Sequence, residues 1–326
     1  MRILSVDGGG YLGLATAAFV EGVEDHFDCN LGDCFDLFCG TSTGAIIALG
    51  IAAGKTGAEL RTLYSELGKR VLVPRFGRRS KLGRLFGPKF ALEPLREALT
   101  GAFGDLTLGD LYASNKRVIA SSFCLTTGQP RIFKTDHSAN LTRHARYRLV
   151  DVALASAAAP TYFPLAKVVD PLSGVVETFC DGGVVANQPA LLAYAEAVSE
   201  CGAEAKDVRL LSLSTPRADL AQKEPISTNR GLWQWGEAIA DVFIEGSSRS
   251  SGEVLKRLVA CCPENQRPLY ERIELVNTHR LAFDDASPMA SQVLIHEGSS
   301  RAASNVVRQR LMPFFTEEER NARLSR

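Results

Sequence analysis

Much that would assign this chain to a specialised class is missing from its sequence. Its 37 basic residues are balanced by 37 acidic ones, so no global field points to nucleic acid, and neither DNA nor RNA is expected as a partner. The eight cysteines form no Cys-x-x-Cys pair, and no Cys/His cluster has zinc-ligand spacing, so no metal site is expected. The longest nearly apolar stretch, around Gly44 to Gly54, falls far short of a membrane span. Met1 to Asp7 reaches an acid before a signal-peptide core can form. These absences lead us to expect a reduced, cytosolic protein. Its cysteines then serve mostly as small hydrophobes, and burial is expected even for the adjacent pair Cys261-Cys262. With 326 residues the chain can bury a large core, as one α/β domain or as one domain with a small appendage.

What is present centres on residues 35–53. Phe35 to Cys39 reads as a buried strand and Ala45 to Ala53 as a helix of small and apolar residues. Between them lies Gly40-Thr-Ser42-Thr-Gly44, a Gly-x-Ser-x-Gly pattern. In that context the glycines relieve crowding at a sharp turn, and the serine hydroxyl is left exposed above the sheet edge. Amides at the start of the following helix face any negative charge that develops beside it. On its own the pattern is weak, because a glycine-relaxed helix entry looks the same.

Ile3 to Val6 forms a short strand that runs into Asp7-Gly8-Gly9-Gly10, and a helix follows from about Tyr11. Strand, glycine loop and helix together make an anion-binding arrangement. Two readings stand here: a nucleotide-phosphate loop and an oxyanion hole for acyl transfer. Gly8-Gly9-Gly10-Tyr11-Leu12-Gly13 satisfies the dinucleotide fingerprint literally. No acid closes a second strand about twenty residues on, which disfavours the nucleotide reading. Further along, Thr56 to Glu59 is a capping box heading a helix with a stripe at Leu60, Leu63, Tyr64 and Leu67. From Lys69 to Lys89 come eight basic residues and no acid: Lys69, Arg70, Arg75, Arg78, Arg79, Lys81, Arg84 and Lys89. Apolar residues are interleaved, a texture that suits a lid touching an anionic membrane, a phosphate-bearing ligand, or a plain solvated loop.

Lys116 to Phe123 is strand-like and turns back as a hairpin into Arg131 to Lys134. Leu149 to Ala159 is a helix of small residues stopped by Pro160, and Val175 to Cys180 is a strand delivering Asp181-Gly182-Gly183. Asn187-Gln188-Pro189 opens another helix, Val208 to Ser214 is a strand, and the remainder is mainly helical with a strand near Arg272 to Leu275. Alternating strands and helices predict an α/β fold with a largely parallel sheet. Three features then follow strand ends, where such sheets gather their sites. The glycine loop offers amides, Ser42 a nucleophile, and Asp181 a base for a hydroxyl that needs one. Of the five histidines (His26, His137, His144, His279 and His296), only the last two follow Asp181. Neither stands in a glycine-rich turn, so a Ser-Asp-His triad is disfavoured.

Asp7-Gly8-Gly9-Gly10, Gly40-Thr-Ser42-Thr-Gly44 and Asp181-Gly182-Gly183, with Ala155 to Pro164 between and Val184 to Pro189 beyond, together resemble the patatin-like phospholipase family. The likeness runs from residue 1 to about 215 and more loosely to about 300. It implies a three-layer patatin-like fold with Ser42 on a nucleophile elbow, and a Ser–Asp dyad in which Asp181 is the base. It implies Gly8, Gly9 and Gly10 as oxyanion hole, with Gly40, Gly44, Gly182 and Gly183 in support. Residues 1–215 become the catalytic core with a basic, lid-like segment at 69–89, and residues 216–326 a mainly helical part packed on the same domain. The family often carries Arg or Lys two residues after the third glycine; here the residue is Leu12, so the backbone amides act without that cation.

The implied activity is hydrolysis of fatty-acyl esters of phospholipids at the inner face of the membrane, with no cofactor required for the chemistry. Acyl transfer on the same dyad and a non-catalytic nucleotide-binding module remain as alternatives, and the oligomeric state is open. Some bacterial members of the family are anti-phage effectors switched on by cyclic oligonucleotides. The likeness extends to a cyclic di- or trinucleotide activator. The expected contacts for that anion or for the membrane are Arg75, Arg78, Arg79, Lys81 and Arg84, with Arg143, His144, Arg146 and Arg148 as further candidates.

Overall fold

Successive residues along the buried strands of one sheet join apolar clusters on opposite faces, which divides the core into two sides. The structure is a computed structural model describing residues 1–74, 87–217, 228, 229, 231, 235 and 238–315. Eight strands form the sheet: β1 (Arg2–Val6), β2 (Leu37–Thr41), β3 (Arg117–Cys124), β4 (Gln129–Lys134), β5 (Ala166–Val169), β6 (Val176–Asp181), β7 (Arg209–Leu213) and β8 (Leu269–Ile273). Their order is β5-β6-β3-β2-β1-β7-β8, with β4 paired to β3. Leu4, Val6, Phe38, Val118 and Ala120 join one apolar cluster, and Ile3, Leu37, Cys39, Ile119 and Leu210 join the other. Period-2 strands buried on both faces require helices on both sides. On the first side lie α1 (Gly13–Phe27), α3 (Thr43–Ala52) and α7 (Leu149–Ala157), and on the second lies α9 (Ala190–Ser199). The three-layer expectation holds.

Strands β1, β2, β3, β7 and β8 run parallel to one another, while β4 and β6 pair antiparallel with β3, and β5 antiparallel with β6. The antiparallel end of the sheet builds the site. Strand β4 occupies one edge of β3 from Ile119 to Cys124. A strand has only two edges, so β2 and β6 share the other. Thr41 pairs with Ser121, and the next residue, Ser122, pairs with Asp181. Strands β2 and β6 therefore meet head to head, and their last residues come together from opposite directions.

The remaining described helices are α2 (Leu31–Cys34), α4 (Gly57–Arg70), α5 (Glu93–Phe103), α6 (Leu108–Ala113), α8 (Gly183–Ala186), α10 (Ala238–Cys261), α11 (Pro288–Ala303) and α12 (Asn305–Leu311). At α4 the expected capping box is formed, with Thr56 Oγ1 accepting from the Glu59 amide and the Glu59 carboxylate accepting from the Thr56 amide. Strand β8 lies a few residues earlier than the span near Arg272 to Leu275. Its limit is set by register with β7, from Arg209–Leu269 to Leu213–Ile273, and as an edge strand it buries only Ile273. A second correction concerns Cys261-Cys262. Cys261 is exposed and Cys262 half-buried at the end of α10, because the last turn of this helix leaves the core. Cys34, Cys39, Cys124 and Cys180 are buried, as small hydrophobes would be.

Candidate active site

Ser42 sits between β2 and α3 with φ 55° and ψ −123°, a conformation that costs a non-glycine residue energy and persists only where its surroundings impose it. Two close approaches impose it here. A Cβ at Gly40 would collide with the Gly44 carbonyl, and one at Gly44 would strike the Val6 carbonyl, so the turn folds this tightly only with glycine at both places. Behind it, the Ser42 amide donates to Ser156 Oγ at 2.9 Å, and that hydroxyl donates to the Ser121 carbonyl at 2.7 Å. Ser156 thus ties the elbow to β3.

The head-to-head strand ends place Ser42 Oγ 2.5 Å from Asp181 Oδ2, donating to it. The other carboxylate oxygen, Oδ1, accepts from the Gly183 amide at 2.6 Å. The Asp181 and Gly182 amides donate to the carbonyls of Ala158 and Ser156, each at 3.0 Å. Asp181 is buried, and removal from water pushes its pKa up to about 6, against the opposing pull of Ser42 and of the Gly183 amide. A carboxylate in that range is a competent proton acceptor near neutral pH.

The glycine loop approaches from β1. The Gly8 amide is already committed to the Asn187 carbonyl at 3.0 Å. Gly9 and Gly10 face the same cavity as Ser42 and Asp181. Gly10 has φ +59°, and the next amide, that of Tyr11, donates to the Phe283 carbonyl at 2.7 Å. The Thr215 hydroxyl donates to the Gly8 carbonyl at 2.7 Å.

At the root of the loop, Asp7 is fully buried and its Oδ2 accepts from Arg217 Nη2 and Arg272 Nη2, each at 2.6 Å. Arg217 continues to Glu245 Oε1 of α10 at 3.2 Å. Two arginines offset the cost of burying one carboxylate. Leu12 is buried in the core, so the residue in place of the family's cation supports packing.

A cavity of about 920 Å³ opens over the Ser42–Asp181 pair. Its walls include Ile46, Leu67, Phe90, Leu95, Phe163 and Phe283. Among the described residues, the lining carries three charged side chains: Asp181, Lys89 and Asp284. Lys89 and Asp284 are paired with each other. An apolar chamber of this size has room for a long acyl chain.

Other candidates lie elsewhere. His279 contacts Thr278, His296 contacts Ser300, and His137 sits between Thr135 and Glu196. Arg143 is paired with Asp170 and Glu177, and Arg148 with Asp105. His144 Nδ1 accepts from the Lys134 amide. Burial, with Arg131 and Arg143 nearby, lowers the pKa of His144 to about 4, so it carries no charge for an anion at neutral pH. Arg75, Arg78, Arg79, Lys81 and Arg84 lie outside the described residues. Among the described residues no group of three or more His, Cys, Asp or Glu could hold a metal ion.

The family model described as patatin-like phospholipase matches residues 4–194. Over 262 residues the chain is 37% identical to a cGAMP-activated phospholipase of Pseudomonas aeruginosa, covering 78% of this chain and 74% of that protein. A cGAMP-activated phospholipase of Escherichia coli is 31% identical over 336 residues, covering 97% of this chain and 92% of that one. A cUMP-AMP-activated phospholipase of Escherichia coli is 32% identical over 218 residues, covering 65% of this chain and 63% of its own.

Proposed function

The chain belongs to the patatin-like phospholipase family, and we propose that it hydrolyses fatty-acyl esters of membrane phospholipids with Ser42 as nucleophile and Asp181 as base. The observation that carries this reading is the 2.5 Å hydrogen bond between Ser42 Oγ and Asp181 Oδ2 at the floor of an apolar cavity.

Asp181 takes the Ser42 proton as Oγ bonds to the ester carbonyl carbon. Negative charge forms on the carbonyl oxygen, where the amides of Gly9 and Gly10 and that of Thr43 at the start of α3 receive it. Collapse of this intermediate breaks the ester C–O bond, and the Asp181 proton passes to the departing lysolipid oxygen. Water then gives a proton to Asp181 and attacks the acyl-serine, and Asp181 returns that proton to Ser42 Oγ as the acyl–Oγ bond breaks and the fatty acid leaves. Every proton returns through one carboxylate, so no histidine is required.

By analogy with the cGAMP- and cUMP-AMP-activated relatives, a cyclic dinucleotide switches the enzyme on; peripheral action on the inner face of the membrane in anti-phage defence is what the family resemblance adds to this reading. The test is fatty-acid release from phospholipid vesicles with and without cyclic GMP–AMP and cyclic UMP–AMP. Release that depends on one nucleotide and is lost in Ser42→Ala is expected. Undiminished release by Ser42→Ala would overturn the catalytic assignment, and equal release without nucleotide would overturn the gating.

A further inference from the structure

The cavity mouth carries more exposed apolar surface than a lone substrate channel needs. On α10, Phe243 is 71% exposed. On α8, Val184 is 48% exposed, and beyond the end of α4 Val73 is 58% exposed. Phe243 and Val184 also line the chamber that holds Ser42, as does Leu72 beside Val73. Three separate elements thus surround one opening with large hydrophobic side chains. Scattered exposed hydrophobes are ordinary, whereas a rim of them continuous with a binding cavity marks an interaction surface. Immediately before Val71–Val73, Lys69 and Arg70 are exposed at the end of α4, on the flank of this rim. The lining's own cation, Lys89, is neutralised by Asp284, so the opening itself presents little charge.

We propose that this rim is the face on which the protein seats on an anionic lipid bilayer, with Val73, Val184 and Phe243 entering the acyl boundary and Lys69 and Arg70 meeting the headgroups. Exposed apolar side chains around one opening with cations beside them match an interface that is greasy inside and negative at its surface. The chemistry behind the opening favours a lipid occupant over a protein one. An acyl chain must leave a bilayer to reach Ser42, and an apolar rim pressed on the membrane spares it a passage through water. No described helix is long and apolar enough to cross a membrane, so contact of this kind is superficial. The assignment rests on the phospholipase reading for its occupant, but its test is separable from the chemistry.

Val73 and Arg70 do not line the cavity, so Val73→Asp/Arg70→Glu perturbs docking without entering the chamber. Val306→Asp, at a 66% exposed residue on α12, a helix that contributes nothing to the cavity lining, is the control. Binding is read by co-sedimentation of Ser42→Ala protein with phosphatidylglycerol vesicles in saturating cyclic GMP–AMP. Turnover is read on those vesicles and on a soluble short-chain ester. The rim variant should bind vesicles and release fatty acid at least tenfold less well, with soluble-ester turnover within about twofold of the parent, and the control should match the parent throughout. Vesicle binding unaltered by the rim substitutions, or absent from the parent, would overturn the proposal. So would a dimer of the parent that the rim variant abolishes without any vesicle binding, which would assign the face to a second copy. Failure of ester turnover alone would count against the hydrolase chemistry and leave the binding result to decide the surface.

Discussion

Ser42 and Asp181 meet because β2 and β6 end on the same edge of β3, at neighbouring residues Ser121 and Ser122. They stand 139 positions apart in sequence and are brought together by two short strands aimed at each other. No third side chain intervenes between Oγ and Oδ2, so the proposed proton relay is one hydrogen bond long.

Replacing Asp181 by Asn keeps the shape and removes the base. Loss of a positioned general base costs about 100- to 10,000-fold, so kcat on a phospholipid or soluble ester should fall within that range. Steady-state kinetics on either substrate checks it.

The raised pKa of Asp181, about 6, sets two pH dependences. As a base it must be ionised, so kcat/KM should rise with pH, reach half its maximum near pH 6 and level off about one pH unit above that. For stability the sign is opposite. The folded protein holds this proton more tightly than the unfolded chain, whose ordinary value is 3.8. The contribution of Asp181 is therefore full below that value and is lost as pH rises to about 6. Two units correspond to about 3 kcal/mol. Urea denaturation of wild type and Asp181→Asn at pH 4 and pH 7 should show wild type losing ground to the variant by roughly that amount.

Ser156→Ala would leave the Ser42 amide and the Ser121 carbonyl without their shared partner. Unpaired buried groups cost about 1–3 kcal/mol, and the elbow loses its brace. A lower Tm should accompany a fall in kcat larger than any change in KM, read by calorimetry and kinetics on the same preparation.

Local chemistry made the elbow, the glycine loop and the capping box at Thr56 legible, since each rests on residues a few positions apart. Strand-end placement brought Ser42 and Asp181 forward as nucleophile and base, and likeness to a family joined them as a dyad without a third member. Nothing near Asp181 says that β6 runs antiparallel and stops opposite Ser122. Ser156 is hidden because a serine within a run of alanines suits close helix packing equally well. Arg217 and Arg272 lie 210 and 265 residues from Asp7, and arginines in a charge-balanced chain announce no partner. Cys261 misled because adjacent cysteines in a helix look apolar, and only the fold shows which turn leaves the core.

Asp7 is expected to depend on both arginines. Arg272→Met removes one partner of a fully buried carboxylate and should destabilise the protein by about 3–5 kcal/mol. Asp7→Asn in the same background should recover part of that loss, because the unpaired charge is gone. A double-mutant cycle in urea measures the coupling.

The dyad is tested most directly by treating the protein with an alkyl fluorophosphonate and mapping the adduct by peptide mass. The account predicts one adduct, on Ser42, absent from Ser42→Ala and formed at least 100-fold more slowly in Asp181→Asn. An adduct elsewhere, or one on Ser42 that forms at the same rate without the Asp181 carboxylate, would contradict it.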